Sequence, residues 1–159
     1  MVARSVIHNY ALFGAMAQMR YTEAVATFDA DVLVFVPNAD QMDVLAGIYA
    51  YCKEQDFATE GEAIRVGAWP VQFIPVFSAL TREAMENAEI ADFDGVPLHV
   101  VRADYLAVIA LSVRRGKDYA RILALLESLS VTKEQVAQLA AQHGLSQAWQ
   151  QFEARFSDE

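Results

Sequence analysis

Residues 32–36, Val-Leu-Val-Phe-Val, are all apolar and mostly β-branched or aromatic, and two aspartates stand just before them in Thr27-Phe28-Asp29-Ala30-Asp31. A short run of this kind fits a strand covered on both faces of a sheet. Side chains alternate along a strand, so Asp29, Asp31, Leu33 and Phe35 are expected on one face. Two carboxylates about 6–7 Å apart, at an effective dielectric near 20, repel by about 2–3 kcal/mol. A fold does not need that arrangement for its own stability. A hard cation between the two removes the repulsion, and Mg²⁺ is commonly held by one or two carboxylates plus substrate phosphates. The plain alternative is a solvated strand entrance, and a lone Asp-x-Asp recurs too often by chance to exclude it.

A chain of 159 residues suits one domain with one sizeable core. Its hydrophobic fraction of 55% is that of a packed chain, not a disordered one. The formal net charge of −9 argues against a long nucleic-acid footprint, which runs on Lys and Arg neutralising phosphates, but leaves room for a small basic pocket. With one cysteine, Cys52, no intrachain disulfide forms; a reducing cytoplasm is the simplest setting and Cys52 reads as a small core residue. No apolar run reaches the ~18–20 residues of a membrane span. The Met1–Met19 stretch, interrupted by His8, Asn9 and Gln18, reads as part of the fold rather than a leader.

The expected architecture is a mixed, twisted sheet flanked by helices, with a helical C-terminal part, in one domain over 1–159: sheet and helices over 1–101, helices over 102–159. Tyr10–Gly14 reads as a short strand ending in a glycine, followed by a turn or two of helix to Arg20. After the strand at 32–36, Asn38 or Asp40 is placed to cap a helix over about Gln41–Gln55. Glu62–Val66 and Trp69–Val76 form a hairpin through Gly67-Ala68, and Pro70 and Pro75 mark the second strand as short or at an edge. Ser78 or Thr81 opens a helix to about Ala88, and Asp94-Gly95 turns a second hairpin over Ile90–Val101. The helical pattern from Ala103 to about Ser128 is broken near Gly116. Thr132 with Gln135 is a capping box, Gly144 a helix stop, and Ser146 the start of a last helix bearing Trp149, Phe152 and Phe156.

Three pieces carry chemistry. Gly14 before a helix exposes backbone N–H groups that suit phosphate. Thr27-x-Asp29-x-Asp31 suits Mg²⁺. Arg115-x-Lys117-Asp118 supplies cations for a triphosphate, although a charged run on a helix is more often a solvated face. His8, His99 and His143 are not spaced as metal ligands, and no Walker-type loop or Gly-x-Ser-x-Gly occurs.

Taken in order, these pieces resemble the nucleotidyltransferase superfamily with its DNA polymerase β-like fold, and in particular small bacterial members related to abortive-infection type toxins. The resemblance rests on Gly14 thirteen residues before Thr27-x-Asp29-x-Asp31, on Gly67-Ala68-Trp69-Pro70-Val71-Gln72-Phe73-Ile74-Pro75, on Arg115-Gly116-Lys117-Asp118-Tyr119-Ala120-Arg121-Ile122, and on His143-Gly144-Leu145 with Trp149. It spans nearly the whole chain. It implies a nucleotidyltransferase-like fold and transfer of a nucleoside monophosphate from an NTP to an unknown hydroxyl acceptor, whether small molecule, RNA or protein, with release of pyrophosphate. It further implies Asp29 and Asp31 as catalytic Mg²⁺ ligands, and Gly14, Thr27, Arg115, Lys117 and Asp118 about the nucleotide. A second metal would clamp the attacking and leaving oxygens.

Three positions depart from the family's pattern. Ala15 stands for a second glycine or serine, Val25 for an arginine, and Gln72 for the third carboxylate that ligates metal and helps activate the attacking hydroxyl. Glutamine offers a neutral carbonyl oxygen there. The alternative reading is therefore a catalytically silent protein of the same fold that binds a nucleotide or a protein partner.

Overall fold

A computed structural model describes residues 1–36 and 43–156. The elements in chain order are β1 (Asn9–Leu12), α1 (Gly14–Gln18), β2 (Ala30–Phe35), α2 (Ala46–Glu54), β3 (Thr59–Glu60), β4 (Ala63–Val66), β5 (Trp69–Pro75), α3 (Ala79–Glu86), β6 (Glu89–Phe93), β7 (Val96–Val100), α4 (Ala103–Val113), α5 (Gly116–Glu127), α6 (Lys133–Gln142) and α7 (Ser146–Phe156). The strands form one mixed sheet in the order β3-β4-β5-β2-β1-β7-β6. β2 runs parallel to β5 and antiparallel to β1, while β1 runs parallel to β7.

β2 is covered on both faces, as its composition requires. Leu33 and Phe35 pack with the helices α1 and α3–α7 on one side, and Val32 and Val34 pack with Ile48, Cys52 and Ile64 on the other. α4 is apolar nearly all round because it is surrounded: α1, α3, α5, α6 and α7 all lie against it, and eight of its residues are buried. Tyr105 of α4 donates its hydroxyl hydrogen to Glu83 Oε1 of α3 at 2.8 Å, pinning the two helices.

Local signals set most boundaries. Both residues of the Asp94-Gly95 turn have positive φ, as a tight hairpin needs. Ser78 caps α3 in a reciprocal box with Thr81, and Thr132 caps α6 with Gln135. The helical run after Ala103 breaks at Arg114, which is left-handed with φ 64°, so α5 begins at Gly116.

Two expectations are corrected. β5 is an interior strand seven residues long, between β4 and β2, and not an edge. Its prolines are tolerated because the β2 ladder does not run past them: pairing with β2 starts at Val71, after Pro70, which pairs with Arg65 of β4, and Pro75 is the last residue of the strand. The helix expected from Gln41 starts only at Ala46, after a turn; its proposed caps, Asn38 and Asp40, lie outside the described residues.

Candidate functional site

A cleft of about 420 Å³ opens where the start of β2 meets α1 and α5. Its lining includes Thr27, Asp29, Asp31 and Lys117 from the sequence reading, and adds Gln18, Phe28 and Arg121.

Asp31 is the second residue of β2 and points to the helix side, since it shares a face with Leu33 and Phe35. Asp29 is not on the strand but in the bend before it. That bend is tied by Thr27, whose hydroxyl donates to the Asp29 carbonyl at 2.9 Å. The segment leading in is anchored at Tyr21: its hydroxyl donates to the Val101 carbonyl at 3.1 Å, and its own carbonyl accepts from Ser130 Oγ at 2.7 Å. The two carboxylates are close enough to repel. Burial first, and Asp29 second, push the Asp31 carboxyl above its ordinary range, while Arg121, Lys117 and Arg115 pull it back in that order.

Gly14 is required twice over. It is left-handed, with φ +62°, where a side chain is strained, and a Cβ built on it would lie 2.2 Å from Asp31 Oδ2. The glycine therefore lets the Asp31 carboxylate rest against the start of α1. That helix has only five residues, so it offers no developed dipole of its own.

Arg115 and Asp118 stand behind the cleft and do not line it. Asp118 is 1% exposed and occupies the third position of α5. Its Oδ2 accepts from the Arg115 backbone N–H at 3.0 Å and from Arg115 Nε at 2.7 Å, and its Oδ1 accepts from Arg115 Nη2 at 3.3 Å. Burial alone would raise this carboxyl, but the bonds from Arg115 outweigh it and hold it below its usual range. The box fixes the start of α5 and with it the positions of Lys117 and Arg121.

Gln72 of β5 pairs with Asp31 in the parallel ladder, so the two side chains are neighbours on one face of the sheet. Among the described residues no third His, Cys, Asp or Glu joins Asp29 and Asp31. His8, His99 and His143 lie away from the cleft.

Sequence reasoning missed Arg121 and Gln18. Arg121 Nε donates to Gln18 Oε1 at 3.0 Å, across 103 residues of chain, and its Nη1 lies 4.0 Å from Asp118 Oδ1. A signal for Arg121 existed: it is one turn after Lys117, on the same face of α5. Phe28 is 90% exposed at the rim, an aromatic surface offered to water between Thr27 and Asp29. Gln72 is not among the residues lining the cleft, although it pairs with Asp31 in the ladder; chemically, the two carboxylates match one hard cation completed by phosphate oxygens. They fall short of two such ions, which need further shared carboxylates.

No protein-family model and no curated protein sequence matches the chain. Solved structures do match it. A nucleotidyltransferase-like antigenic protein from Paracoccidioides brasiliensis superposes with a TM-score of 0.51 at 16% identity, covering 89% of this chain and 84% of that one. The antibiotic-resistance factor ANT(2'')-Ia superposes with a TM-score of 0.53 at 13% identity, covering 97% of this chain and 91% of that one in its solution structure. Its crystal structure in complex with adenylyl-2''-tobramycin gives the same score and identity, over 98% and 92%. At these identities the likeness is one of architecture: the chain has the nucleotidyltransferase-like fold.

Proposed function

We propose that the cleft binds a nucleoside triphosphate with one Mg²⁺, and that the chain transfers the nucleoside monophosphate to a hydroxyl acceptor. The observation that carries this reading is that Asp29, Asp31, Lys117 and Arg121, distant in sequence, line one cleft. Asp29 and Asp31 would hold the cation, and when bound it supplies Lewis-acid polarisation of a phosphoryl oxygen. Lys117 and Arg121 neutralise charge on the phosphate chain, which phosphoryl-transfer sites require. Gly14 makes room for the Asp31 carboxylate, and Thr27 fixes the bend that presents Asp29. In the reaction the acceptor hydroxyl gives up its proton to solvent, its oxygen bonds to the α-phosphorus, the bond from that phosphorus to the α–β bridging oxygen breaks, and pyrophosphate leaves with that oxygen. One fold neighbour is seen with an adenylylated compound, adenylyl-2''-tobramycin, which is the kind of product this reading assigns.

A second reading is favoured by Gln72. An amide beside Asp31 cannot take the acceptor's proton, so the same cleft would bind nucleotide without turnover. Labelled NTPs offered with extracts of small hydroxyl compounds, RNA or protein separate the two: label transfer supports the first, and nucleotide binding without any transfer supports the second.

The common part is tested by calorimetric titration with each NTP, in Mg²⁺ and in EDTA. Binding is expected in Mg²⁺ alone. Asp29→Asn with Asp31→Asn should weaken it at least tenfold while the fold survives, because the substitution removes repulsion rather than packing. The single change Asp31→Asn should in fact stabilise the unliganded chain by about 1 kcal/mol at neutral pH, after allowing for solvent screening in the cleft. Its carboxyl is raised in the fold, so ionised Asp31 costs stability above its folded pKa, and the gain should vanish as pH falls through and below the ordinary aspartate range. Unchanged Mg²⁺-dependent affinity in the double variant would rule the site out. Gln72→Asp should tighten Mn²⁺ binding about tenfold, and an unaltered affinity would mean that residue 72 does not share the ion.

A further inference from the structure

The cleft carries a charge count that its carboxylates alone do not suggest. Asp29 and Asp31 face Lys117 and Arg121, and the Arg115–Asp118 pair behind them is closed on itself. Lys117 is exposed, on a flexible stem. Arg121 is not: its side chain is 13% exposed, and it is clamped by the bond from Nε to the buried Gln18. The Gln18 amide is itself held by a 3.4 Å contact from Nε2 to Thr22 Oγ1. A guanidinium has five N–H donors and stays charged at any working pH. Only one of the five has a protein hydrogen-bond partner among the described residues. The nearest carboxylate, Asp118, is 4.0 Å from Nη1, beyond hydrogen-bond reach, and takes three bonds from Arg115. Arg121 is also the cation that acts most strongly on Asp31. Among the described residues no Arg121 nitrogen is both buried and unpartnered, so its open donors meet water at the cleft and are free to exchange it for ligand oxygens.

We propose that Arg121 is a fixed second cation of the site: the cleft takes up a single divalent ion, and takes it up together with the nucleotide rather than ahead of it. This rests on the nucleotide-binding reading above. With two carboxylates against two cations, a bare divalent ion enters a cleft that is already neutral and gains little. A triphosphate with one divalent ion carries net negative charge. It brings oxygens both to the open donors of Arg121 and Lys117 and to the ion on Asp29 and Asp31. The neutral amide of Gln72 fits the same scheme: a third carboxylate would be needed to hold a second metal, and Arg121 supplies that positive charge without one.

The test is Mn²⁺ titration of the full chain followed by electron paramagnetic resonance, with and without an α,β-methylene NTP analogue. The wild type should bind Mn²⁺ alone weakly, and should bind one Mn²⁺ per chain, much more tightly, with the analogue. Two tightly held Mn²⁺ per chain with the analogue would overturn the proposal, with no variant needed. Arg121→Gln should tighten Mn²⁺ alone about tenfold and weaken the analogue about tenfold. Arg121→Lys should keep weak metal binding, which separates charge from shape. Unchanged or weaker Mn²⁺ binding in Arg121→Gln, with thermal unfolding still cooperative, would also overturn it. If the wild type fails to bind the analogue, the nucleotide reading fails, whereas the effect of Arg121→Gln on Mn²⁺ alone still decides whether Arg121 opposes the metal.

Discussion

Asp118→Ala is expected to destabilise the chain by about 3 kcal/mol, the sum of a lost helix cap and lost charge-assisted bonds from a buried carboxylate. The Arg115 side chain is 59% exposed and can turn to water once its partner is gone. The Arg115 backbone N–H loses its acceptor, and the space left by a nearly fully buried side chain is polar. For a domain of this size that cost corresponds to a drop of about 6–12 °C in Tm. Asp118→Asn, which keeps the shape and loses the charge, should cost about half as much. The pH dependence follows from sign. The carboxyl is held below its ordinary value in the fold, so its stabilisation is fully present above the unfolded aspartate pKa and is lost as pH falls through the folded one. The gap between the wild type and Asp118→Asn should therefore start to shrink as pH falls through the ordinary aspartate range and close only below the depressed folded value. Denaturant melts across pH would check this, and a constant gap down to pH 2 would mean that the charge contributes nothing. Nucleotide binding should also weaken, because Lys117 and Arg121 ride on the helix that Asp118 starts.

Gly14→Ala is expected to have the largest effect on binding of any change outside the charged residues. The left-handed backbone adds about 1 kcal/mol for a residue with a Cβ. The new Cβ would then overlap the Asp31 carboxylate unless that group turns aside. The chain should lose about 2 kcal/mol of stability, and Mg²⁺-dependent nucleotide affinity should fall at least tenfold because Asp31 no longer points where it did. The double variant Gly14→Ala with Asp31→Ala tests the cause. It should regain about half of the lost stability, since the clash is gone and the strain is not, while binding stays lost. Strict additivity of the two changes would show that residue 14 does not press on Asp31.

Local physics made much of this molecule legible. The apolar run at 32–36, the Gly67-Ala68 and Asp94-Gly95 turns, the break before Gly116 and the Thr132 box all act within a few residues, and each appears where its chemistry demands. What escaped reading is set by contacts far apart in sequence. Pro70 and Pro75 argued for a short or edge strand because the sequence does not show that β5 pairs with β2 only from Val71 onward, which leaves Pro70 outside that ladder. Arg121 stood inside the run Arg115–Ile122 with no role assigned to it. It becomes part of the cleft only because α5 packs near α1 and brings Gln18 to it. Arg115 and Asp118 read as a nucleotide contact, whereas their spacing of three is equally that of a helix-start box, which is how the fold uses them. In the candidate site, Asp29, Asp31, Thr27 and Lys117 were legible as types of residue in order. Their convergence was not, since nothing in a strand entrance states which helix will cover it.

The placement of α4 has a consequence for synthesis. The sheet is complete once residue 100 has been made, but α4, the helix at the centre of its main apolar cover, begins at Ala103 and is followed by three more covering helices. At ~5–20 residues per second the helices emerge over a span of several seconds. During that interval a nascent chain holds a sheet face bearing Ala11, Leu33 and Phe35 with little to cover it but α1 and α3. Nascent chains arrested near residue 101 would be ready clients for a holdase, whereas release of the full helical part closes the face on itself.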